Sequence, residues 1–382
     1  MSRARGRRVR VAVVGLGFGD AFVAVYQDHP DVEYVGICDT DHHRLVECGA
    51  KHKITRLHSN LEDILNSQEY DAVHLLTPIP SHAELTIEVL QSGMHCACAV
   101  PMGTTLDELS RITEAERRTG LNYMMMETAV YTHHAFYVRA LADAGELGRI
   151  QFVRGAHYQD MTGWPDYWRG LPPMHYATHA VSPLLALLSS RATSVRCLGS
   201  GVMGDELVER YGNPYPVESA LFTVGSDANV AMEVTRSLFA TARRYMESFS
   251  VYGERASFEW HMNDELPVLF RATSELAANG RGLKIAHERV TPPDKSSLLP
   301  AAIRRHSPHE VLSEPGNPHI TIFRGGFHHG AHPHLVHEFI RSIVEERPSW
   351  INSATAANWT APGICAHKSA MRSGAEIAVP SF

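Results

Sequence analysis

The sequence predicts a two-domain α/β protein, with a doubly wound parallel sheet first and a mostly antiparallel sheet in the domain that follows. Three observations carry this. A β-branched run over residues 9–14 stops at Gly15 and Gly17, and a helical pattern begins at once. Up to residue 126, strand-like and helix-like runs alternate at the spacing of βαβ units. From about residue 148, strand-like runs succeed one another, interrupted by one helix over 176–188. A length of 382 residues also exceeds one ordinary core. The domains are expected at 1–128 and 129–382, with the C-terminal segment packing back on the first.

The first strand and its turn place the free N–H groups of Gly15, Leu16, Gly17 and Phe18 at a helix N-terminus, a seat suited to the pyrophosphate of a dinucleotide. A helix over 21–27 and a strand over 32–38 follow, and that strand ends at Asp39. An acid here accepts hydrogen bonds from the adenosine ribose diol and repels a 2′-phosphate, which favours NAD over NADP. Thr40, His42, His43 and Arg44 are the neighbours that would tolerate the phosphate. A helix over 60–66 precedes a strand over 72–76, which runs into Thr77-Pro78-Ile79-Pro80, where pairing ends and a crevice should open. Ser81 is expected to cap a helix over 83–91, with Glu84 completing a capping box. After Gly93 come a strand over 95–100, Pro101, a helix over 106–118 and a strand over 121–126.

In the second domain the strands are read at 150–158, 195–202, 218–224, 229–237, 244–252 and 256–260. Residues 262–330 read as long loops. A helix over 334–346 follows, then 352–373, helical apart from Pro362 and Gly363, and a closing strand over 376–379.

Composition excludes several classes. The net charge of −7 gives no general reason to expect a nucleic-acid partner. Arg3, Arg5, Arg7, Arg8 and Arg10 read as a solvated arm. No run approaches the roughly 20 apolar residues of a membrane span. The run behind the arginines breaks at Gly15 and Gly17 without a cleavage site, unlike a signal peptide. The six cysteines are scattered without CxxC spacing, as expected of reduced thiols in a cytoplasmic protein.

At Gly15-Leu16-Gly17, Asp39, Thr77-Pro78 with His82, Gly93-Met94-His95, Pro101, Glu146-Leu147-Gly148-Arg149-Ile150, His179 and the 366–380 tail, the chain resembles the Gfo/Idh/MocA family, named for glucose-fructose oxidoreductase, inositol dehydrogenase and MocA. The resemblance implies an N-terminal Rossmann domain and a C-terminal domain with a large open sheet. It also implies nicotinamide and substrate held between them at Thr77, Pro78 and Pro101, hydride exchange with a sugar or cyclitol, and homodimers or homotetramers formed through the open sheet. Three departures stand out. The family's Glu-Lys-Pro, whose lysine is thought to assist proton transfer, is here Ala99-Val100-Pro101, and valine can neither hydrogen-bond nor carry charge. The family's Asp-x-x-x-His is here His175-Tyr176-Ala177-Thr178-His179. Asp20 stands in the third glycine's place of the turn, which should loosen helix–strand packing.

Alcohol oxidation needs a base for the hydroxyl proton, and histidine titrates in the useful range. His179 is the leading candidate. His175, four residues earlier, shares its face if both are helical, and Tyr176 could relay a proton. Trp164, Tyr167, Trp168 and Arg169 form a candidate sugar platform in a proline-bounded loop. Arg169 and Arg244 leave room for an anionic sugar such as a uronate or sulfonated glycoside. Glu127, after the sixth strand, is a candidate ligand of the nicotinamide ribose or of the substrate, and His82 a candidate for the cofactor crevice. His328, His329, His332, His334 and His337 lack an established ligand spacing, and no metal is expected. Three readings follow: an NAD-dependent oxidoreductase of sugars, cyclitols or glycosides, which is preferred; a redox-neutral NAD-dependent glycosidase that oxidises, eliminates, adds water and re-reduces; and a cofactor-binding protein without catalysis, motivated by Val100.

Overall fold

The computed structural model describes residues 8–225, 230–262, 265–307, 309–313, 321–325 and 327–382. Arg3, Arg5 and Arg7 lie outside them. The first sheet is β1 (Val9–Val14), β2 (Val32–Cys38), β3 (Leu57–His58), β4 (Ala72–Leu75), β5 (His95–Cys98) and β6 (Tyr123–Met125), in the order β3-β2-β1-β4-β5-β6. Every pairing is parallel. Val11, Ala12 and Val13 are all buried, as a strand covered on both faces requires. The crossovers are α1 (Leu16–Asp28), α2 (His42–His52), α3 (Leu61–Ser67), α4 (His82–Gln91) and α5 (Leu106–Thr119).

Local chemistry explains where these elements differ from the periodicity. The first helix begins at Leu16, five residues before the apolar pattern shows it, because Gly15 at φ 90° turns the chain straight into it. A Cβ on Gly15 would lie 2.5 Å from the Leu76 carbonyl oxygen. The close-packing glycine is Gly19, where a Cβ would meet Val13 Cγ1 at 3.1 Å. Asp20 therefore does not loosen the packing. It faces α2, where it bonds His52 Nε2 at 2.8 Å, Lys51 Nζ and Cys48 Sγ. The capping box at Ser81 does not form: the Ser81 hydroxyl donates to Pro78 O at 2.7 Å, and Glu84 pairs with Arg111 instead.

The second sheet has nine strands. They are β7 (Ile150–Tyr158), β8 (Ala192–Ser200), β9 (Val217–Val224), β10 (Val230–Ser237), β11 (Met246–Gly253), β12 (Ala256–Trp260), β13 (Val268–Leu276), β14 (Leu283–Arg289) and a closing strand, Ile377–Ala378. Within it only β7 and β10 pair in parallel; the others are antiparallel. β13 and β14 fall in the stretch read as loops. The seven residues of β14 are exposed, so it lacks the apolar alternation that marks a half-buried strand. A hairpin, β15 (His309–Ser313) with β16 (Thr321–Gly325), follows, so the closing strand is β17. Of the helices, α6 (His133–Asp143) links the sheets and α7 (Thr178–Leu188) lies on one face of the second. It approaches so closely that a Cβ on Gly155 would sit 2.2 Å from Ala180 O. A short α8 (Asp205–Tyr211) precedes β9. The opposite face carries exposed Leu198, Leu221 and Leu276.

The last two helices, α9 (Phe327–Val344) and α10 (Ser353–Ala370), return to the first sheet. Met125 N donates to Ile351 O at 3.0 Å, and Asn122 Nδ2 to Arg347 O at 2.8 Å. α10 runs unbroken through Pro362 and Gly363, both buried; Gly363 abuts Met174 O, where a Cβ would clash at 2.1 Å. Among the described residues, no helix is long and apolar enough to cross a membrane.

The seam between α9 and α1 is built from histidines. His332 stacks on Phe22 at 4.1 Å, and His29 bonds His337 at 3.0 Å. Burial lowers the pKa of His29 to about 4, of His74 to about 3 and of His334 to about 4. These rings are neutral in the folded state and charge more readily once unfolded, so their contribution is complete above pH 6.5 and is lost as pH falls toward 4. The unfolding free energy from urea titration should therefore drop between pH 7.5 and pH 5, by on the order of 1–2 kcal/mol per histidine, and the midpoint should fall with it. This loss should exceed the opposing gain from His82 and His179, whose pKa values are raised. A midpoint that stays level across this range would contradict the neutral seam.

Candidate active site

A cleft of about 830 Å³ lies between the carboxyl ends of β4, β5 and β6 and the inner face of the second sheet. Its chemical centre is His179, at the start of α7. The loop after β6 holds Glu127 fully buried, where Oε1 accepts from Ala129 N at 2.9 Å and from His179 Nδ1 at 2.6 Å. Nδ1 thus carries a proton and Nε2 faces Tyr176 OH at 3.3 Å, with Glu247 Oε1 4.0 Å away. Burial works against a charged ring, but Glu127 and Glu247 prevail and hold the His179 pKa above its ordinary value.

Glu127 accordingly stands behind His179 and does not line the cleft as a ribose ligand would. Tyr176 does line it, as does His179. His175 does not. Residues Pro173–Tyr176 form a 3-10 turn ahead of α7, so the four-residue spacing does not bring the two histidines to one helical face. The His175 ring packs edge-on against His367 of α10, 5.0 Å between centroids, and burial lowers its pKa to about 3.

A second group of ionisable residues, which the sequence reading did not single out as a site, faces the same cleft. Glu247 is buried on β11, and its Oε1 accepts from Tyr245 OH and lies 3.3 Å from His328 Nδ1. Burial opposes its charge, yet His179 and His328 hold its pKa well below the carboxylate range. Tyr245 and His328 line the cleft. The strand's alternation that turns Tyr245 and Glu247 inward leaves Arg244 off the cleft lining. An acid two residues after a tyrosine, at the start of a strand that is buried nearly throughout, is the signal that could have found this pair. Arg236 of β10, also buried, donates to Tyr176 O at 2.9 Å, His157 O at 3.0 Å and Gln159 Oε1 at 3.1 Å. Burial lowers its pKa to about 10, so it remains a cation that fixes Gln159 and the Tyr176 turn at the cleft.

On the opposite wall stand Thr77, His82, Ala99 and Val100. His82 Nδ1 lies 2.7 Å from Pro101 O and Nε2 2.8 Å from Thr77 O. Carbonyls only accept, so both nitrogens donate and the ring is an imidazolium. Burial opposes that charge, but Cys98 and the two carbonyls outweigh it and raise the pKa to about 9. His82 thereby ties the Pro78 loop to the cis Val100–Pro101 peptide. Trp164, Tyr167 and Trp168 close the third side, whereas Arg169 turns outward toward Asp166 at 3.9 Å. No lysine or arginine is among the described residues that line the cleft, so neither arginine considered for an anionic sugar faces it.

The glycine turn fits a dinucleotide. A Cβ on Gly17 would meet nothing within 4 Å, leaving an open cradle at the N-terminus of α1. Asp39 holds the turn by accepting from Leu16 N at 2.8 Å, and Arg44 pairs with it at 3.2 Å. Phe18 projects from the turn to the cleft mouth. The histidines of α9 diverge: His332 packs on Phe22, His334 on Tyr131, His337 on His29. Among the described residues, Asp20, Cys48 and His52 form the group with metal-ligand proximity. The Lys51 ammonium already pairs with that aspartate, and burial raises the Cys48 thiol to about 12.

Comparison with known proteins agrees with this architecture. Residues 9–127 match the model of the GFO/IDH/MocA oxidoreductase family, NAD-binding Rossmann fold, and residues 136–259 match the GFO/IDH/MocA C-terminal domain. The chain is 27% identical over 201 residues to a glycosyl hydrolase family 109 protein of Porphyromonas gingivalis, covering 47% of this chain and 42% of that one. The chain thus spans less than half the length of this curated relative. It is similar in fold to myo-inositol 2-dehydrogenase of Lactobacillus plantarum, with TM-score 0.74 and 15% identity over 98% of this chain and 100% of that one. It is likewise similar to a levoglucosan dehydrogenase in complex with NADH and levoglucosan, with TM-score 0.75 and 18% identity over 98% and 100% of the two chains.

Two glycine variants separate folding from cofactor binding. Gly17→Ala should fold at least as stably as the parent yet bind NADH at least about tenfold more weakly, because its methyl fills the pyrophosphate approach. Gly15→Ala should destabilise the fold by about 1–3 kcal/mol, through its positive φ and the Leu76 carbonyl. Fluorescence titration and urea unfolding distinguish them, and equal NADH affinity in Gly17→Ala and the parent contradicts the assignment. For His82, ¹⁵N spectra at pH 7.5 should show both ring nitrogens protonated. Its contribution to stability should be complete below pH 6.5 and lost as pH rises through about 9; a neutral-imidazole pattern at pH 7.5 refutes it.

Proposed function

The chain belongs to the Gfo/Idh/MocA family of NAD-binding oxidoreductases, and we propose that it exchanges a hydride between NAD and a ring carbon of a carbohydrate, with His179 handling the hydroxyl proton. The observation that carries this reading is the His179–Glu127 pair, which puts a histidine backed by a buried carboxylate on the cleft wall facing the cofactor side. Bound NAD supplies the hydride acceptor. Thr77, Val100 and the His82 imidazolium would form the nicotinamide side, and Gly15, Leu16, Gly17 and Asp39 the pyrophosphate and adenosine side. His179 takes the hydroxyl proton at Nε2, Glu127 stabilises the imidazolium that forms, and Tyr176 hydrogen-bonds the same nitrogen. With Val100 in the usual lysine's place, this histidine carries the proton chemistry that the family's lysine is thought to assist. The aromatic, arginine-free lining supports an uncharged sugar.

A redox-neutral glycosidase reading is favoured by the named relative, a family 109 glycosyl hydrolase, and by the second carboxylate–histidine pair at Glu247 and His328. Both readings share the hydride step. Six free, buried cysteines support a cytoplasmic setting, and the exposed leucines of the second sheet support pairing of copies through that face.

The test is incubation with a panel of polyols and glycosides, following NADH absorbance and sugar products together. NADH formation supports oxidoreduction; aglycone release that needs NAD but yields no net NADH supports the glycosidase. In either case His179→Gln should lower turnover about 10³-fold, and Glu127→Gln less, because it orients the base without exchanging the proton itself. A His179→Gln enzyme within tenfold of the parent would falsify the assignment.

A further inference from the structure

We propose that His328, oriented by Glu247, is a second proton-transfer group of the cleft, removing the carbon-bound proton beside the oxidised centre so that a glycosidic substituent can leave. This rests on the redox-neutral reading above. The cleft holds two carboxylate–histidine pairs. His179 has Glu127 at 2.6 Å from Nδ1, and His328 has Glu247 at 3.3 Å from its own Nδ1; both rings line one cleft with centroids 5.8 Å apart. A protein that only exchanges a hydride needs one such group, for the hydroxyl proton.

The backbone spends conformational freedom on placing the second. His328 and His329 are non-glycine residues at φ 47° and 52°, followed by Gly330 at φ 79°. Successive left-handed residues are disfavoured and persist where surroundings over-determine them, often at sites of function. A Cβ on Gly330 would lie 2.7 Å from Ser307 O, so the chain is confined on that side as well. The result swings the His328 ring from the head of α9 to a position beside Phe18 of the glycine turn, 6.0 Å between centroids. It therefore stands between the cofactor turn and His179.

The chemistry that needs two proton-transfer groups is elimination next to a ketone. Once a ring carbon is at the ketone level, the C–H beside it is acidified. His328 takes that proton, and the C–H bonding pair becomes a C=C bond. The C–O bond to the aglycone breaks with its pair on the aglycone oxygen, which receives the proton His328 has accepted. Water then adds across the double bond, hydroxyl to the anomeric carbon and hydrogen to its neighbour. The elimination and addition consume no oxidant or reductant.

The test uses the full-length protein with NAD in D₂O and a panel of methyl and nitrophenyl hexosides. With enzyme in excess over substrate, the transient NADH absorbance of a single turnover, before the hydride returns, reports oxidation, and proton NMR reports deuterium entering at the carbon beside the oxidised one. In His328→Gln the ratio of exchange to oxidation should fall at least about 100-fold. In His179→Gln both rates fall and the ratio stays level. Glu247→Gln, a positioning change, should displace the pH profile of exchange away from that of oxidation. NADH fluorescence checks that each variant retains its cleft, and His328→Asn carries the same test if the glutamine variant does not fold. Exchange at the parent ratio in His328→Gln overturns this inference while leaving the glycosidase reading in place. Oxidation without any exchange by the parent protein overturns both.

Discussion

The Glu127–His179 hydrogen bond is the constraint on which the rest of the site depends. Its carboxylate hangs from the last strand of the first sheet and its imidazole from the helix on the second, so it spans the two halves of the molecule. A fully buried carboxylate left unpaired costs several kcal/mol. The second sheet must therefore dock where His179 meets Glu127, and that docking shapes the cleft. Glu247 and Arg236 extend the same logic. Each is buried, each is satisfied by groups on more than one element, and together they hold the Tyr176 turn and Gln159 against the cavity.

The opposite wall solves a different problem. Without a lysine before Pro101, that side of the cleft has lost a flexible cation, and it carries a rigid one in His82. Bonded to two carbonyls, this imidazolium cannot reach a substrate hydroxyl; it sets the positions of the Pro78 loop and of Pro101. The wall on the first sheet thus carries a fixed imidazolium, and the facing wall carries the carboxylate-paired rings of His179 and the neighbouring His328.

The C-terminal helices bind these walls together. α9 lies on α1 through neutral histidines and aromatic rings, and α10 packs on α5 while touching the turn that carries His175. Most of the histidine richness near residue 330 is therefore structural, with rings serving as compact, partly polar packing groups. His328 is the exception, because its left-handed backbone turns it out of that seam and into the cleft.

The sequence by itself determined the parallel sheet and the dinucleotide turn, because these rest on local patterns: β-branched runs, glycine spacing, an acid at a strand end; the candidacy of His179 came from its place in the family resemblance together with the need for a base. The second sheet was legible up to β12, where half-buried strands alternate; β13 and β14 were not, since β14 is an exposed edge strand with little periodicity and β13, beside it, is exposed along its last third. Only the tertiary structure decided which titratable groups meet. It separated His175 from His179 through a 3-10 turn, moved Glu127 behind the histidine, and turned Arg244 away in favour of its neighbour Tyr245. It also joined Glu247 to His328 across 81 positions. Burial and pairing are properties of packed surfaces, and spacing along the chain does not encode them.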